Sequence, residues 1–310
     1  MNTKVGIIGL GAMGGNAASR LEEQGFDLVL YDPRIEQMAA HPQAIQASSV
    51  KDLAGQSDVI LAFLPYSAQV EAVAIGEGGV IETARPGTVF VNMGTISPVT
   101  TRKIADVLGT RNVEVIGAPM NGGPHVVRAG RLALVVGGRE DVVEKCRPVL
   151  AALGEIRHMG DVGSGEVAKI VNNLILAICI NANAEALVLG VKFGVDPEKL
   201  VDSVIEGVGF NHGMRKHYKE HVLKGDFGEH DLFSVDFMRK DLALAFELAD
   251  DLKVPLKFGA LADQSYQAAR AAGRAANYHP VVCTILEDLC GVKIRSTEHV
   301  SISGVEGSRG

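Results

Sequence analysis

The chain has 310 residues, 47% of them hydrophobic, and a formal net charge of −7. That length is enough for two domains, each with its own core. Basic residues never run beyond adjacent pairs, which argues against nucleic acid or an anionic membrane as the main partner.

The opening Met1-Asn2-Thr3-Lys4 leads straight into a strand with no signal-peptide architecture, so a cytoplasmic protein is expected. Residues 5–8 form that short apolar strand. Gly9-Leu10-Gly11-Ala12-Met13-Gly14 follows at once, and a helical pattern then carries Ala17, Ala18 and Leu21 to a stop at Gly25. Strand, glycine turn and helix are the context that a G-x-G-x-x-G match requires. The first glycine makes the tight turn, the second lets the backbone approach a pyrophosphate, and the third lets helix pack on strand. The pyrophosphate then meets the unpaired N–H groups at the helix start. The next strand, residues 28–31, ends at Asp32, whose carboxylate is spaced to accept hydrogen bonds from ribose hydroxyls. It would repel a 2′-phosphate, which favours NAD over NADP; Arg34 counts the other way. The competing reading of Asp32 is a turn former before Pro33.

The alternation continues. Residues 58–64 read as a strand stopped by Pro65, residues 69–75 as a helix and residues 88–93 as a strand. Ser97-Pro98 opens a helix that runs to 108, with Ser97 as N-cap and Pro98 in the first turn. Strands at 113–116 and 132–136 and a helix at 141–153 complete this half. Such alternation means an α/β, Rossmann-type, mainly parallel sheet covered on both faces, with ligands beyond the carboxyl ends of its strands. That gathers Leu64, Pro65, Gly94, Thr95 and the loop after Ile116 around one crevice. The loop itself, Gly117-Ala118-Pro119-Met120-Asn121-Gly122-Gly123-Pro124, offers free backbone N–H groups to an anion. Asn121 adds a side chain that donates or accepts. The same composition suits a plain turn equally well.

Residues 163–193 begin with Gly163-Ser164-Gly165 and then run without proline or internal glycine to Gly190. Apolar residues on nearly every side predict a core helix buried all round. The longest unbroken apolar run, residues 174–180, falls well short of the roughly 20 residues of a membrane span. Lys169 and Asn173, four apart, share a face. A buried ammonium tends to lose its proton, the condition in which lysine serves as a general acid or base. The alternative is a lysine that reaches solvent along its aliphatic stem.

Beyond this helix the pattern is helical at 199–205, 236–252, 256–270 and 281–289, with Phe210 beside the glycine-rich Gly207-Val208-Gly209. The expected division is a dinucleotide-binding domain at 1–162, an all-helical substrate and oligomerisation domain at 163–295, and a flexible tail at 296–310. His217-Tyr218-Lys219-Glu220-His221 fits the H-x-x-E-H pattern of some zinc proteases. Flanking Lys216, Lys219 and Lys224 instead favour a solvated helix face and no metal. Cys146, Cys179, Cys283 and Cys290 lie in apolar surroundings. Cys283 and Cys290 fall on one predicted helix about 10 Å apart along its axis, too far to bridge. Free thiols in a reducing compartment are expected.

These motifs, in this order, resemble the β-hydroxyacid dehydrogenases, the family of 3-hydroxyisobutyrate dehydrogenase and tartronate semialdehyde reductase, distantly related to 6-phosphogluconate dehydrogenase. Residues 8–14 are similar to the family's cofactor signature, and Leu64-Pro65 to its methionine–leucine–proline edge. Gly94-Thr95-Ile96-Ser97-Pro98 resembles its serine–threonine–isoleucine–serine–proline segment. Residues 118–123 resemble its substrate loop, Gly163-Ser164-Gly165 through Lys169 and Asn173 its catalytic helix, and Lys240-Asp241-Leu242-Ala243-Leu244-Ala245 its second-domain signature.

The resemblance implies an NAD-dependent oxidoreductase acting on a small anionic 3-hydroxy acid or semialdehyde. Lys169 would be the acid/base, Asn173 would orient substrate, and Asn121, Gly122 and Gly123 would hold its carboxylate. Phe210 would lie against substrate, and Thr95 and Lys240 beside the nicotinamide. A homo-dimer or homo-tetramer is expected, through the helical domain. Asn121 stands where the family usually has serine, Gly94 also replaces a serine, and Arg128 or Arg131 offers a receptor for a second anionic group. Two rivals are an imine reductase on the same scaffold and a catalytically silent nucleotide sensor; retained Lys169 with Asn173 speaks against both.

Overall fold

The computed structural model describes residues 3–228 and 233–296. The predicted tail, apart from Ser296, lies outside the described residues. The chain forms two compact units that divide within the long helix Ser164–Phe193, one ending at Asn172 and the other beginning at Asn173.

The first unit is built on one sheet of nine strands among the described residues. They are β1 (Lys4–Ile8), β2 (Asp27–Tyr31), β3 (Ile45–Gln46), β4 (Val59–Ala62), β5 (Val89–Asn92), β6 (Glu114–Gly117), β7 (Met120–Asn121), β8 (Leu132–Gly137) and β9 (Gly154–Gly160). The order is β3-β2-β1-β4-β5-β6-β8-β7, with β9 on the other side of β8. Pairing is parallel except where β8 meets β6 and β7.

Strands β4 and β5 are buried along their whole length, as covered parallel strands must be. Successive residues point to opposite faces. Ile7, Leu30, Leu61 and Val91 pack with Ala17 and Leu21 of the first helix, Ala12–Glu23. Ile8, Val29, Ile60 and Phe90 pack with Leu53, Val70 and Ile104 on the other face. Because β1 stands between β2 and β4, the winding reverses there, which opens a ligand crevice beyond the strand ends.

Sequence reading missed β3, β7 and β9. The first two have only two residues each, and β9 carries Glu155, Arg157 and His158 along a largely exposed outer position, so it shows no apolar run.

The second unit is helical. Ala177, Ile180, Ala184 and Leu187 of the long helix pack with Val201, Met214, Tyr218, Leu242, Tyr266 and Cys283. Tyr218 donates its hydroxyl to the carbonyl of Ile180 at 2.7 Å. All four cysteines are free thiols.

The long helix is not buried all round as expected. Ile175, Leu189 and Phe193 are exposed at 56%, 75% and 88%. The neighbouring helices cover the stripe Asn173–Ala177–Ile180–Ala184–Leu187 and leave the opposite stripe uncovered. By length and composition alone this helix could cross a membrane. Its buried stripe carries Asn173 and Asn183, however, and Asn183 exchanges side-chain hydrogen bonds with Asn211 at 2.9 and 3.1 Å. From Asn173 onward it packs into the core of the second unit.

The expected solvated face at His217 and His221 is also corrected. Met214–Lys219 is a π-helical turn, whose wider winding swings His217 inward. There the His217 Nδ1 meets the hydroxyl of Tyr278, and its ring centroid lies 5.0 Å from that of His279. His221 pairs with Asp226 at 2.9 Å. Among the described residues no three His, Cys, Asp or Glu side chains converge as metal ligands.

Burial first, then His212 and His221, pushes the His217 imidazole down to about 4. Burial pushes His279 well below its ordinary value. Both rings stay neutral when folded and take up protons on unfolding, so stability is intact above the unfolded value of 6.5 and drains as pH falls toward 4. The His217 contribution alone is on the order of 3 kcal/mol. Urea unfolding at stepped pH should show this loss, and His217→Gln should flatten its slope by about 1.4 kcal/mol per pH unit.

Candidate active site

The glycine turn after β1 is built by close approach. Gly9 has φ +88°, and a Cβ there would stand 2.7 Å from the carbonyl oxygen of Phe63. A Cβ on Gly14 would stand 1.9 Å from the carbonyl oxygen of Gly9. Gly11 is the N-cap of the first helix, exposed and with no side chain closing the helix start. Leu10, Ala12 and Met13 complete this turn, leaving backbone N–H groups for an anion.

Beside the turn, Asp32 is 3% exposed. Its Oδ2 accepts from Leu10 N–H at 2.8 Å and from Arg34 Nη2 at 3.2 Å; Oδ1 accepts from Arg34 N–H at 2.9 Å and Nε at 3.1 Å. Burial pushes this carboxyl up, but the Arg34 guanidinium and the two backbone donors outweigh it and hold it below its ordinary value. Asp32 is an anion tied to the glycine turn through Leu10 N–H and to Arg34 two residues on.

Leu64 and Pro65 follow β4, and Gly94 and Thr95 follow β5. A Cβ on Gly94 would lie 2.1 Å from the carbonyl oxygen of Leu64, so this packing leaves no room for the family's serine. Asn92 clasps the turn from both ends: its Nδ2 donates to Gly94 O at 3.0 Å and its Oδ1 accepts from Gly94 N–H at 3.1 Å.

The predicted substrate loop is partly strand. Asn121 sits on β7 opposite Ala133 of β8. Gly122 then turns with φ +134°, pressed between Val126 and Leu132, and Gly123 caps the short helix Pro124–Arg128. Arg128 makes a two-pronged ion pair with Glu23 at the end of the first helix. That contact takes it away from the role of a second anion receptor; Arg131 is exposed, and nothing in the structure gives it a role.

The start of the long helix is seated on the sheet. Gly163 has φ +94°, and a Cβ on Gly165 would lie 2.5 Å from the carbonyl oxygen of Val135. One turn on, half-buried Lys169 donates from Nζ to Asn121 Oδ1 at 2.9 Å. In the second unit, Asn173 donates from Nδ2 to the carboxylate of Asp241, which is 2% exposed. Lys240 Nζ stands 2.9 Å from the other oxygen of Asp241 as an ion pair. Phe210 is 43% exposed, with the Arg215 guanidinium 4.6 Å from its ring centre.

Sequence reasoning quoted Asp241 without giving it a role. Its signal was an acid on the same helical face as Val235, Met238, Leu242 and Ala245, all buried. Buried Glu166 was missed as well, because one acid in a helix's first turn reads as ordinary dipole pairing.

The family profile described as the NAD binding domain of 6-phosphogluconate dehydrogenase matches residues 4–164. A second, described as the NAD-binding domain of NADP-dependent 3-hydroxyisobutyrate dehydrogenase, matches residues 163–285. The chain is 37% identical over 294 residues to 2-(hydroxymethyl)glutarate dehydrogenase of Eubacterium barkeri, covering 94% of this chain and 97% of that one. Mycobacterium tuberculosis 3-hydroxyisobutyrate dehydrogenase, solved with L-serine, superposes with a TM-score of 0.84 at 29% identity, covering 92% and 99% of the two chains. An imine reductase of Myxococcus stipitatus shares the fold at 18% identity and a TM-score of 0.63, covering 92% and 100%. With two family profiles covering residues 4–285 and a relative 37% identical over nearly the whole chain, the chain belongs to the β-hydroxyacid dehydrogenase family.

Proposed function

We propose that this protein oxidises the hydroxyl of a small anionic 3-hydroxy acid, or reduces the matching semialdehyde, with Lys169 as general acid/base. The observation that carries the reading is the 2.9 Å hydrogen bond from Lys169 Nζ to Asn121 Oδ1, which supports an amine working beside the 121–123 loop. The Gly122 and Gly123 N–H groups, with Asn121 Nδ2, hold the substrate carboxylate. Lys169 takes the hydroxyl proton, or returns it in the reverse direction. The family resemblance extends the proposal to Asn173, hydrogen-bonded to Asp241, as the residue that orients substrate and to Phe210 as an aromatic against it. Residues 9–14 would hold the pyrophosphate of the dinucleotide, and Leu64, Pro65, Thr95 and Lys240 would border its nicotinamide, which would supply the hydride acceptor or donor for the carbinol carbon.

The relatives' names support the substrate class, since 3-hydroxyisobutyrate, 2-(hydroxymethyl)glutarate and L-serine each carry a hydroxyl on the carbon next but one to a carboxylate. The test is a panel of short 3-hydroxy acids and semialdehydes followed at the reduced-nicotinamide absorbance. Turnover of none of them with either NAD or NADP would remove the reading.

Asp32 supports NAD as the preferred cofactor, because a carboxylate at the ribose-binding position would repel a 2′-phosphate. Asp32→Ser removes the repulsion and frees the Arg34 guanidinium. Its expected effect is a shift of the NAD-to-NADP ratio of kcat/KM toward NADP by at least ~10-fold, the size of one charge-assisted hydrogen bond.

Exposed Ile175, Leu189, Phe193, Phe258 and Leu261 support a homo-dimer or homo-tetramer through the helical unit. A monomer mass by light scattering would refute it. Free thiols support a cytoplasmic location.

A further inference from the structure

One buried titratable group takes no part in the mechanism above. Glu166 lies one turn before Lys169 and is 0% exposed. Its Oε1 accepts from Asn92 Nδ2 at 2.9 Å and from Thr101 Oγ1 at 2.8 Å. Asn92 closes the end of β5 and clasps Gly94; Thr101 belongs to the helix Pro98–Gly109. One carboxyl oxygen thus ties the start of the lysine helix to the turn that leads into Thr95 and to the helix behind it. The other oxygen, Oε2, is buried without a hydrogen-bond partner. It packs on Gly117, where a Cβ would stand 2.3 Å from it.

We propose that Glu166 is a positioning residue for Lys169: an uncharged carboxylic acid, sealed under the catalytic helix, that fixes the amine relative to the Gly94–Thr95 turn without adding charge. The proposal rests on the reading of Lys169 as acid/base.

Burial disfavours an ionised carboxylate unless several donors or an opposite charge stabilise it. Here both donors are neutral and both reach the same oxygen. From β5 the facing group is Asn92, from β6 it is Gly117, and from the Pro98–Gly109 helix they are Thr101 and Arg102. Arg102 commits its Nε to the carbonyl of Val162 at 3.1 Å. Burial pushes the Glu166 carboxyl up, against the weaker pull of Asn92, Thr101, its own backbone N–H and Arg102. On its own helix the facing charge is Lys169, whose Cβ at i+3 is about 5–6 Å away. A carboxylate at that distance would hold the amine as ammonium; a neutral acid gives the same anchorage and leaves the amine free to give up its proton.

The test follows the Lys169 amine directly. Lysines are labelled by carbon-13 reductive methylation in the full chain with NAD, and the Lys169 resonance is identified by its loss in Lys169→Ala. Its titration midpoint is compared in the wild type, Glu166→Gln and Glu166→Leu, alongside turnover of 3-hydroxyisobutyrate. Glu166→Gln should keep the midpoint within ~0.3 pH units, because the amide reproduces a neutral acid. Glu166→Leu should move the midpoint and lower kcat at least ~10-fold while KM for NAD stays, the split expected for lost positioning. If Glu166→Leu fails to fold, Thr101→Val removes one of the two bonds and should move the midpoint in the same direction.

A midpoint lowered by a full unit or more in Glu166→Gln would show an ionised Glu166 and overturn the proposal. So would a Leu variant (or its Val substitute at 101) that matches the wild type in the titration. Full turnover in Lys169→Ala would sink the acid/base reading instead, and the titration would still report whether Glu166 governs the amine.

Discussion

Lys169→Ala should lower kcat at least ~100-fold, the usual scale for loss of a positioned acid–base group, while NAD binds as before. The two halves of that expectation come from different parts of the structure. Cofactor binding draws on the glycine turn, Asp32 and the strand ends. Proton transfer draws on an amine held by Asn121 at 2.9 Å. Stopped-flow or steady-state turnover gives the first number, and quenching of reduced-nicotinamide fluorescence gives the second. Near-normal turnover would take Lys169 out of the mechanism. Lost turnover with lost NAD binding would mean that the substitution disturbs the fold instead. Lys169→Arg is a sharper probe: it keeps a donor for Asn121 but cannot give up its proton near neutral pH, so it should be as inactive as alanine.

Gly14→Ala should destabilise the protein by about 2–4 kcal/mol, at the upper end of what overpacking costs, and weaken NAD binding at least ~10-fold. The added carbon would sit 1.9 Å from the Gly9 carbonyl oxygen. That contact is backbone against backbone, so no side-chain rotation relieves it, and the first helix must lift from the strand that carries the turn. Thermal unfolding should fall by roughly 2–4 °C for each kcal/mol. Gly25→Ala is the control. Gly25 has φ +81° and nothing within 4 Å, so alanine there bears only the left-handed backbone penalty of about 1–2 kcal/mol and should leave NAD affinity unchanged. Equal effects of the two substitutions on NAD affinity would contradict the close-packing account.

The parts of this protein legible in its sequence are those with local signals. The glycine turn could be read because three glycines and two flanking elements fall within twenty-odd residues, and β4 and β5 because fully covered strands are continuous apolar runs. Lys169 was legible as a cation set beside the long apolar run of its helix, well before Lys192 at the far end. The buried contacts of its helix were not. Glu166 meets Asn92 at a separation of 74 positions, and Asn173 meets Asp241 at 68; neither pairing has any periodicity. The inward turn of His217 escaped notice because the π-helical winding at Met214–Lys219 breaks the 3.6-residue spacing on which face assignment relies. The uncovered stripe of the long helix was misread because apolar composition says that a face wants cover, not whether its own chain provides it.

The fit of Glu166 against Gly117 makes those two positions interdependent in descent. A lineage that placed alanine at 117 would drive its Cβ into the carboxyl group, 2.2 Å from Oε1, and would force Glu166 off Asn92 and Thr101 unless a shorter residue already stood at 166. The order of the two changes then matters: shortening 166 first avoids the clash, whereas enlarging 117 first passes through it. Homologues carrying both changes should therefore descend from ancestors altered at 166 alone.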